Sequence, residues 1–208
     1  MTDFILVRHG ETVWHAENRY AGRSDVPLTA HGREQAATLA EWATTAGLTA
    51  IWSSPLSRAR LTAEPAALGC GLAARIDERL CEVDFGEGEG LTRDEMRRRF
   101  PQQLAAFLAD PVDSHLPGGE HPRLAAERAA AALHDIAREQ PHGRVLLVAH
   151  STLVRLLLCH LLGIPLADYR RVFPQLHNGA LTEIRVEEGR TALLRFNVPA
   201  MAQSPALR

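Results

Sequence analysis

The sequence contains no lysine, and all 23 of its basic side chains are arginines. Schiff-base chemistry on a lysine and a Walker-type phosphate-binding lysine are therefore excluded. Any site for a phosphate or a carboxylate must be built from arginine, histidine and backbone N–H groups.

Cysteine is scarce as well, with only Cys70, Cys81 and Cys159. Their odd number and wide spacing indicate neither a disulfide framework nor a zinc site, and a reducing cytoplasm fits them best. The ten histidines never form a His-x-x-x-His ligand spacing with acids nearby. The sequence therefore predicts a cytoplasmic protein without a bound metal.

Long hydrophobic runs are also missing. The longest, Leu153–Leu162, is interrupted by Arg155 and His160 and is too short to span a bilayer. The N-terminus enters a predicted strand at once, without a secretory leader. The formal net charge of −2 provides no general basic surface, so neither nucleic acid nor a membrane is expected as a partner.

What is present is typical of a globular α/β protein. With 208 residues, 46% of them hydrophobic, the chain predicts a single domain over 1–208 with one insertion. The strongest buried strands are Phe4–Val7 and Arg144–Ala149, and each is followed closely by a histidine, His9 or His150. Strands alternating with helices predict a three-layer sandwich whose mostly parallel sheet is flanked by helices. In such sheets ligands bind at the carboxyl ends of strands.

The remaining elements are predicted from capping, periodicity and turn residues. Thr29 caps a helix from Ala30 to about Ala46, and a second helix begins near Ser57, where Pro65 must kink or shorten it. A cap insertion at about 84–120 contains a capping box, Thr92 to Glu95, and Pro101 divides its helix. Further elements are strands at 49–53 and 75–77, helices at 123–139 and 152–162, a hairpin at 180–196, and a disordered tail after about 199.

Four motifs carry charged or titratable residues in a fixed order. They are Arg8-His9-Gly10-Glu11-Thr12, Ser53-Ser54-Pro55-Leu56-Ser57-Arg58-Ala59, Leu80-Cys81-Glu82-Val83-Asp84-Phe85-Gly86 and Val148-Ala149-His150, with Pro117-Gly118-Gly119-Glu120 before the last. Together they resemble the histidine phosphatase superfamily, the phosphoglycerate mutase-like clan. Within it, the chain looks like the phosphatase branch with α-ribazole-phosphatase-like and broad-specificity phosphatases.

The resemblance assigns a role to each motif. Phosphoryl transfer needs a nucleophile, cations on the phosphoryl oxygens and an acid for the leaving oxygen. His9 matches the nucleophile, Arg8 and Arg58 the arginines that grip phosphate, and His150 a further donor. Glu82 matches the general acid and base, although Asp84 and Glu87 could compete. The resemblance also places His15, Ser151, Thr12 and Gly22 among the phosphate- or substrate-binding residues.

Several positions depart from the family pattern. His15 replaces an asparagine that binds phosphate, and a near-unperturbed imidazole there would titrate between about pH 5.5 and 7.5. Ser151 replaces the glycine after the second histidine, and His121 replaces a serine. Gly88 replaces a tryptophan, which would remove an aromatic wall of the pocket. An intact core with altered surroundings indicates an unusual substrate.

The resemblance implies a metal-independent, cofactor-free phosphomonoesterase acting on a small cytoplasmic metabolite. The mutases of the family carry a longer insertion between the acid and the second histidine. Here the interval from Glu82 to His150 is short and has no obvious second phosphate clamp, which favours hydrolysis. A cofactor-dependent phosphoglycerate mutase and a non-catalytic phospholigand-binding protein are the alternatives, and a homodimer remains open.

Overall fold

The computed structural model describes residues 1–187 and 189–201. Its strands are β1 (Thr2–Arg8), β2 (Ala50–Ser53), β3 (Ala74–Ile76), β4 (Arg144–Ala149), β5 (Leu181–Glu187) and β6 (Arg190–Val198). Its helices are α1 (Ala30–Ala43), α2 (Ser57–Cys70), α3 (Arg93–Arg99), α4 (Pro101–Ala109), α5 (Pro122–Glu139), α6 (Ser151–Leu162) and α7 (Tyr169–Val172). None of the helices in these residues has both the length and the apolar character needed to cross a membrane.

The six strands form one mostly parallel sheet in the order β3-β2-β4-β1-β5-β6. The first four are parallel, and β5 and β6 extend the sheet in antiparallel pairs. In the central pair, Phe4 lies opposite Val145 and Arg8 opposite Ala149. This register brings His9 and His150, which follow the two strands, together at the carboxyl edge of the sheet.

The two faces of β1 enter two different cores. Phe4 and Leu6 pack with the face that α5 and α6 cover, whereas Ile5 and Val7 pack with the face that α1 and α2 cover. All four side chains are 0–1% exposed, and burying each contributes about 1.5–3 kcal/mol. Alternation along the strand therefore produces the predicted three-layer α/β architecture, which the structure confirms.

Two helix predictions need correction. Helix α1 ends at Ala43 rather than near Ala46, because the chain leaves the helix in a turn before Gly47. Helix α2 continues past Pro65 to Cys70, so the proline does not shorten it. Buried alanines on both sides of Pro65, including Ala63 and Ala66, pack in the core shared with α1, and this packing outweighs the backbone hydrogen bond that proline removes.

The cap insertion follows its sequence signals. Thr92 and Glu95 form both hydrogen bonds of the predicted capping box, and Phe100 separates α3 from α4 just before Pro101. At the C-terminus, Ala200 is buried in the core beside α1 and α2, whereas the rest of the predicted disordered tail, 202–208, lies outside the described residues.

Candidate active site

A cavity of about 780 Å³ opens at the carboxyl edge of β1. Eight of the nine predicted site residues line it: Arg8, His9, Thr12, His15, Gly22, Arg58, Glu82 and Ser151. The ninth, His150, lies behind His9. The β1 loop, the cap, α2 and α6 therefore bring the predicted residues to one place.

His9 is held as a neutral imidazole whose lone pair is on Nε2. Its Nδ1 donates to the carbonyl of Gly10 at 2.7 Å, and its Nε2 accepts from Arg58 Nε at 3.2 Å. Burial lowers the pKa of His9 well below its usual value, and the Arg58 and Arg8 cations lower it further. The ring is therefore neutral at neutral pH, with its one proton on Nδ1, as nucleophilic attack by Nε2 requires.

Arg58 is fully buried and anchored by the loop that precedes α1. Its two terminal nitrogens donate to the carbonyls of Ser24 at 2.7 Å and Gly22 at 2.6 Å. Gly22 has φ +48°, and a Cβ there would lie 1.8 Å from Glu89 Oε1. Gly22 thus acts on the site through its carbonyl and its small size, since both hold Arg58 in place.

Arg8 and His15 face each other with two hydrogen-bond donors and no acceptor between them. The Thr12 N–H donates to His15 Nδ1 at 3.0 Å, which leaves the ring proton on Nε2. That Nε2 faces Arg8 Nη2 at 2.6 Å and Asn178 Nδ2 at 3.3 Å, and both of these are donors. An anionic oxygen placed among them would accept from all three groups.

The protonation state of His15 differs from the prediction. Burial, followed by the nearby Arg8 cation, lowers the pKa of His15 to about 4. Arg8 keeps its charge, although burial lowers its pKa to about 10. The expected titration of His15 between pH 5.5 and 7.5 is therefore wrong for the ligand-free protein, because a second cation is costly beside a buried guanidinium.

Glu82 receives three backbone N–H bonds. Its Oε1 accepts from Val83 at 2.9 Å and Leu153 at 2.8 Å, and its Oε2 accepts from Thr152 at 3.0 Å. Glu82 therefore caps α6, the helix that Ser151 begins. Since Oε1 already accepts two bonds and Oε2 only one, a proton on Glu82 would belong on Oε2. The two competing acids, Asp84 and Glu87, do not line the cavity.

An ion pair supports the backbone of Glu82 from behind. Arg128 on α5 donates to the carbonyls of Arg79 at 2.6 Å and Glu82 at 3.2 Å. Its Nε lies 2.7 Å from Glu120 Oε1, and both side chains are mostly buried. Glu120 belongs to the predicted Pro-Gly-Gly-Glu motif, whose structural role is thus to hold the arginine that positions the acid.

His150 is fully buried rather than exposed in the cavity. Its ring centroid lies 5.2 Å from that of His9, and its Nε2 lies 2.8 Å from Ser54 Oγ. Its Nδ1 has no hydrogen-bond partner among the described residues. Burial and the nearby cations, Arg58 first, lower the pKa of His150 well below its usual value, so the ring is neutral.

Two departures from the family pattern have local explanations. A Cβ on Gly88 would lie 2.5 Å from Leu116 Cδ1, and Gly88 does not line the cavity. Trp14 and Tyr20 line the cavity, so it has aromatic surface without a tryptophan at position 88. His121 caps α5 by accepting the Arg123 N–H at 3.2 Å, which is a bond that serine can also make.

Sequence reasoning missed several cavity residues. Arg155 on α6, Tyr169 and Arg170 on α7, and Trp14 all line the cavity, and Asn178 donates to the carbonyl of His9 at 2.7 Å. Arg155 did have a signal, since it interrupts an apolar helix one turn after Ser151. No comparable signal marks α7, which is only four residues long.

The chain is similar to known proteins over most of its length. The family model "Histidine phosphatase superfamily (branch 1)" matches residues 4–199. The probable phosphoglycerate mutase GpmB of Citrobacter koseri is 37% identical over 188 residues, which are 90% of this chain and 86% of that protein. A mycobacterial glucosyl-3-phosphoglycerate phosphatase has a TM-score of 0.86 and 28% identity, covering 94% of this chain and 98% of that one. The α-ribazole phosphatase of Shigella flexneri shares the fold, with a TM-score of 0.87 and 24% identity over 97% of this chain and 98% of that one.

Proposed function

The chain belongs to the histidine phosphatase superfamily (branch 1), and from this we propose that it is a metal-independent phosphomonoesterase acting on a small phosphorylated metabolite. The observation that carries the proposal is the neutral, buried His9, whose Nε2 lies beside Arg58 in the cavity that Arg8 and Glu82 also line. Two guanidinium groups supply the positive charge that a phosphoryl group requires.

The reaction takes place in two steps. In the first, His9 Nε2 attacks phosphorus, the bond from phosphorus to the ester oxygen breaks, and Glu82 Oε2 gives its proton to the departing oxygen. In the second, water attacks the phosphohistidine, Glu82 takes a proton from that water, and the phosphorus–nitrogen bond returns its electron pair to Nε2. Inorganic phosphate and the regenerated enzyme are the products.

The surrounding groups stabilise the transferring phosphoryl. Arg8 and the Nε2 proton of His15 converge on a point that lacks an acceptor, where an equatorial oxygen fits. The ring of His150 lies against that of His9, and its Nδ1 has no partner among the residues that the structure describes. If Ser54 donates to Nε2, this Nδ1 carries the proton and donates to the same group.

A cofactor-dependent phosphoglycerate mutase is the second candidate, because the curated relative from Citrobacter koseri is named a probable phosphoglycerate mutase. The two functions differ in the acceptor of the phosphoryl group, which is water in one and a second hydroxyl in the other. Phosphorus NMR of 3-phosphoglycerate with the enzyme separates them, since hydrolysis gives inorganic phosphate and transfer gives 2-phosphoglycerate.

The decisive experiment traps the intermediate. Acid-labile, base-stable phosphate should appear on His9 after quenching, and His9→Ala should abolish both it and turnover. His31→Ala, on the exposed face of α1, is the matched control and should retain both. Turnover should survive a chelator, and vanadate should inhibit competitively. Activity that needs added magnesium or zinc, or phosphate on another residue, would overturn the proposal.

A further inference from the structure

The outer part of the cavity contains a pair of arginines that the hydrolytic step does not use. The guanidinium carbon of Arg155 lies 5.0 Å from the ring centroid of Tyr169, and that of Arg170 lies 5.3 Å from the same centroid. Arg170 also lies 4.5 Å from the centroid of Phe107 and donates to the Tyr169 hydroxyl at 2.9 Å. Aromatic surfaces thus hold both cations at one end of the cavity.

Neither cation has an acidic partner. Within 1–187 and 189–201, no carboxylate lies within ion-pair distance of Arg155 or Arg170, and neither Nη2 group makes a hydrogen bond. The neighbouring Arg171 differs, since it is exposed and paired with Asp168 at 2.9 Å. Partly burying an arginine without a paired anion costs free energy, and a bound anionic ligand would offset that cost.

The acids of the cavity are engaged elsewhere. Glu17 pairs with Arg19 at 2.7 Å, and Asp94 pairs with Arg97. Glu82 accepts three backbone N–H bonds, as described above. Burial lowers the pKa of Arg155, and the Arg170 charge acts in the same direction, whereas Glu82 opposes it. Arg155 and Arg170 contact the same Tyr169 ring, so the two cations lie close enough to repel each other. An anion between them would relieve that repulsion.

We propose that Arg155 and Arg170 form a subsite for a second anionic group on the leaving part of the substrate. The substrate class is then a phosphomonoester whose alcohol carries a carboxylate or a second phosphate, since planar guanidinium groups suit the paired oxygens of either. The inference rests on the proposed phosphatase function. The interval between Glu82 and His150 contains no obvious second phosphate clamp. The proposed subsite provides one from residues that follow His150 in the chain.

The test compares substrates that differ in one group. 3-Phosphoglycerate and glycerol 3-phosphate have the same skeleton, with a carboxylate in one and a hydroxymethyl group in the other. Fructose 1,6-bisphosphate against fructose 6-phosphate tests a second phosphate in the same way. The wild type should prefer the anionic member of at least one pair in kcat/KM, and the pair that shows the preference identifies the anion.

Variants then locate the preference. Arg155→Gln and Arg170→Gln should each reduce the ratio of the two kcat/KM values by roughly ten- to a hundred-fold, the range for a hydrogen-bonded charge. Arg171→Gln, one residue away on α7, should leave the ratio unchanged. Circular dichroism and thermal unfolding confirm that each variant folds.

The outcomes separate this subsite from the general function. Hydrolysis of p-nitrophenyl phosphate and glycerol 3-phosphate without any preference for the anionic substrates would overturn the subsite and leave the phosphatase intact. Equal ratios in the wild type and both variants would do the same. Absence of hydrolysis with every phosphomonoester would instead overturn the function on which the subsite rests.

Discussion

At the scale of single residues, Glu82 combines a structural contact with a chemical role. Glutamine at this position can accept through only one of its two end atoms, so Glu82→Gln loses part of the α6 cap as well as the acid. With an alkyl phosphate we expect kcat to fall by roughly 10²- to 10⁴-fold, the usual range for a general acid. With p-nitrophenyl phosphate the loss should be smaller, because that leaving group needs no proton.

The ratio of the two losses is the informative measurement. A displaced α6 slows both substrates alike, whereas a missing proton slows only the alkyl ester. Equal losses would therefore assign Glu82 to the cap alone and leave the leaving oxygen without an identified acid.

His15→Asn tests whether an imidazole at this position brings pH dependence. Because its pKa is lowered to about 4, His15 is neutral throughout pH 5.5–7.5, and an asparagine amide can supply the same donor. We expect the kcat/KM profiles of wild type and variant to be parallel over that range and to diverge only below about pH 5. A profile that flattens between pH 5.5 and 7.5 in the variant would show that His15 titrates there.

At this scale the sequence predicts which residues form the site, but it does not predict their protonation or their hydrogen bonds. The sequence motifs predict that Arg8, His9, Arg58 and Glu82 lie together, and all four line one cavity. They could not predict that His15 is neutral, since its protonation depends on how deeply it is buried beside Arg8. Nor could they show that both oxygens of Glu82 face N–H groups of α6.

At the scale of elements, α2 depends on a cap from outside its own sequence neighbourhood. Leu56 at its N-terminus makes no side-chain cap, and Asp25 instead accepts from the N–H of Ser57 at 2.9 Å and its hydroxyl at 2.7 Å. Because Arg58 is the second residue of α2, this contact also fixes the start of the helix that carries Arg58 into the cavity.

Asp25→Ala should therefore affect stability and activity together. Loss of the cap should lower the free energy of unfolding by about 1 kcal/mol and also reduce kcat/KM. The matched control is Thr29→Ala, which removes the α1 cap bond to Gly32 N–H at 2.9 Å, because α1 carries none of the cavity arginines. Thr29→Ala should lower the free energy of unfolding by a similar amount without lowering kcat/KM. Equal effects of both variants on kcat/KM would contradict a specific role for Asp25.

Local contacts explain which elements the sequence predicts. The caps at Thr29 and Thr92 join residues three positions apart, so a short motif contains both partners. Asp25 and Ser57 are far apart in sequence, and the four-residue α7 has too little periodicity to be recognised. The elements that complete the cavity are therefore the ones that sequence patterns leave undetermined.

At the scale of the whole molecule, the side chains of β1 point alternately to the two faces of the sheet, which predicts two cores. Only the folded chain shows which distant segments complete the wall of the cavity. Segment 164–180, which contains α7, follows α6 and returns to the sheet edge. There the carbonyl of Leu176 accepts from Arg8 at 2.8 Å, and Asn178 donates to the carbonyl of His9. Both contacts join residues about 170 positions apart. The same folding buries His9 and His150 and partly buries His15, and this has a consequence for acid stability.

His9, His15 and His150 all have pKa values below their usual value in the folded chain, chiefly because they are buried. In the unfolded chain each should titrate near 6.5. Between about pH 6.5 and the lower folded pKa, the unfolded chain binds more protons, so the free energy of unfolding must fall as the pH falls. For His15, with a folded pKa of about 4, the loss from pH 7.5 to 5 is about 2 kcal/mol.

Urea unfolding of the ligand-free protein at pH 7.5, 6 and 5 should therefore show a steep loss of stability on acidification. His15→Asn should reduce that loss by about 2 kcal/mol, whatever its effect on stability at pH 7.5, because asparagine does not titrate. His31→Gln, whose side chain is 60% exposed in the wild type, should leave the pH dependence nearly unchanged. An identical loss in the wild type and His15→Asn would mean that His15 has the same proton affinity in both states, and it would contradict the lowered pKa of His15 in the folded chain.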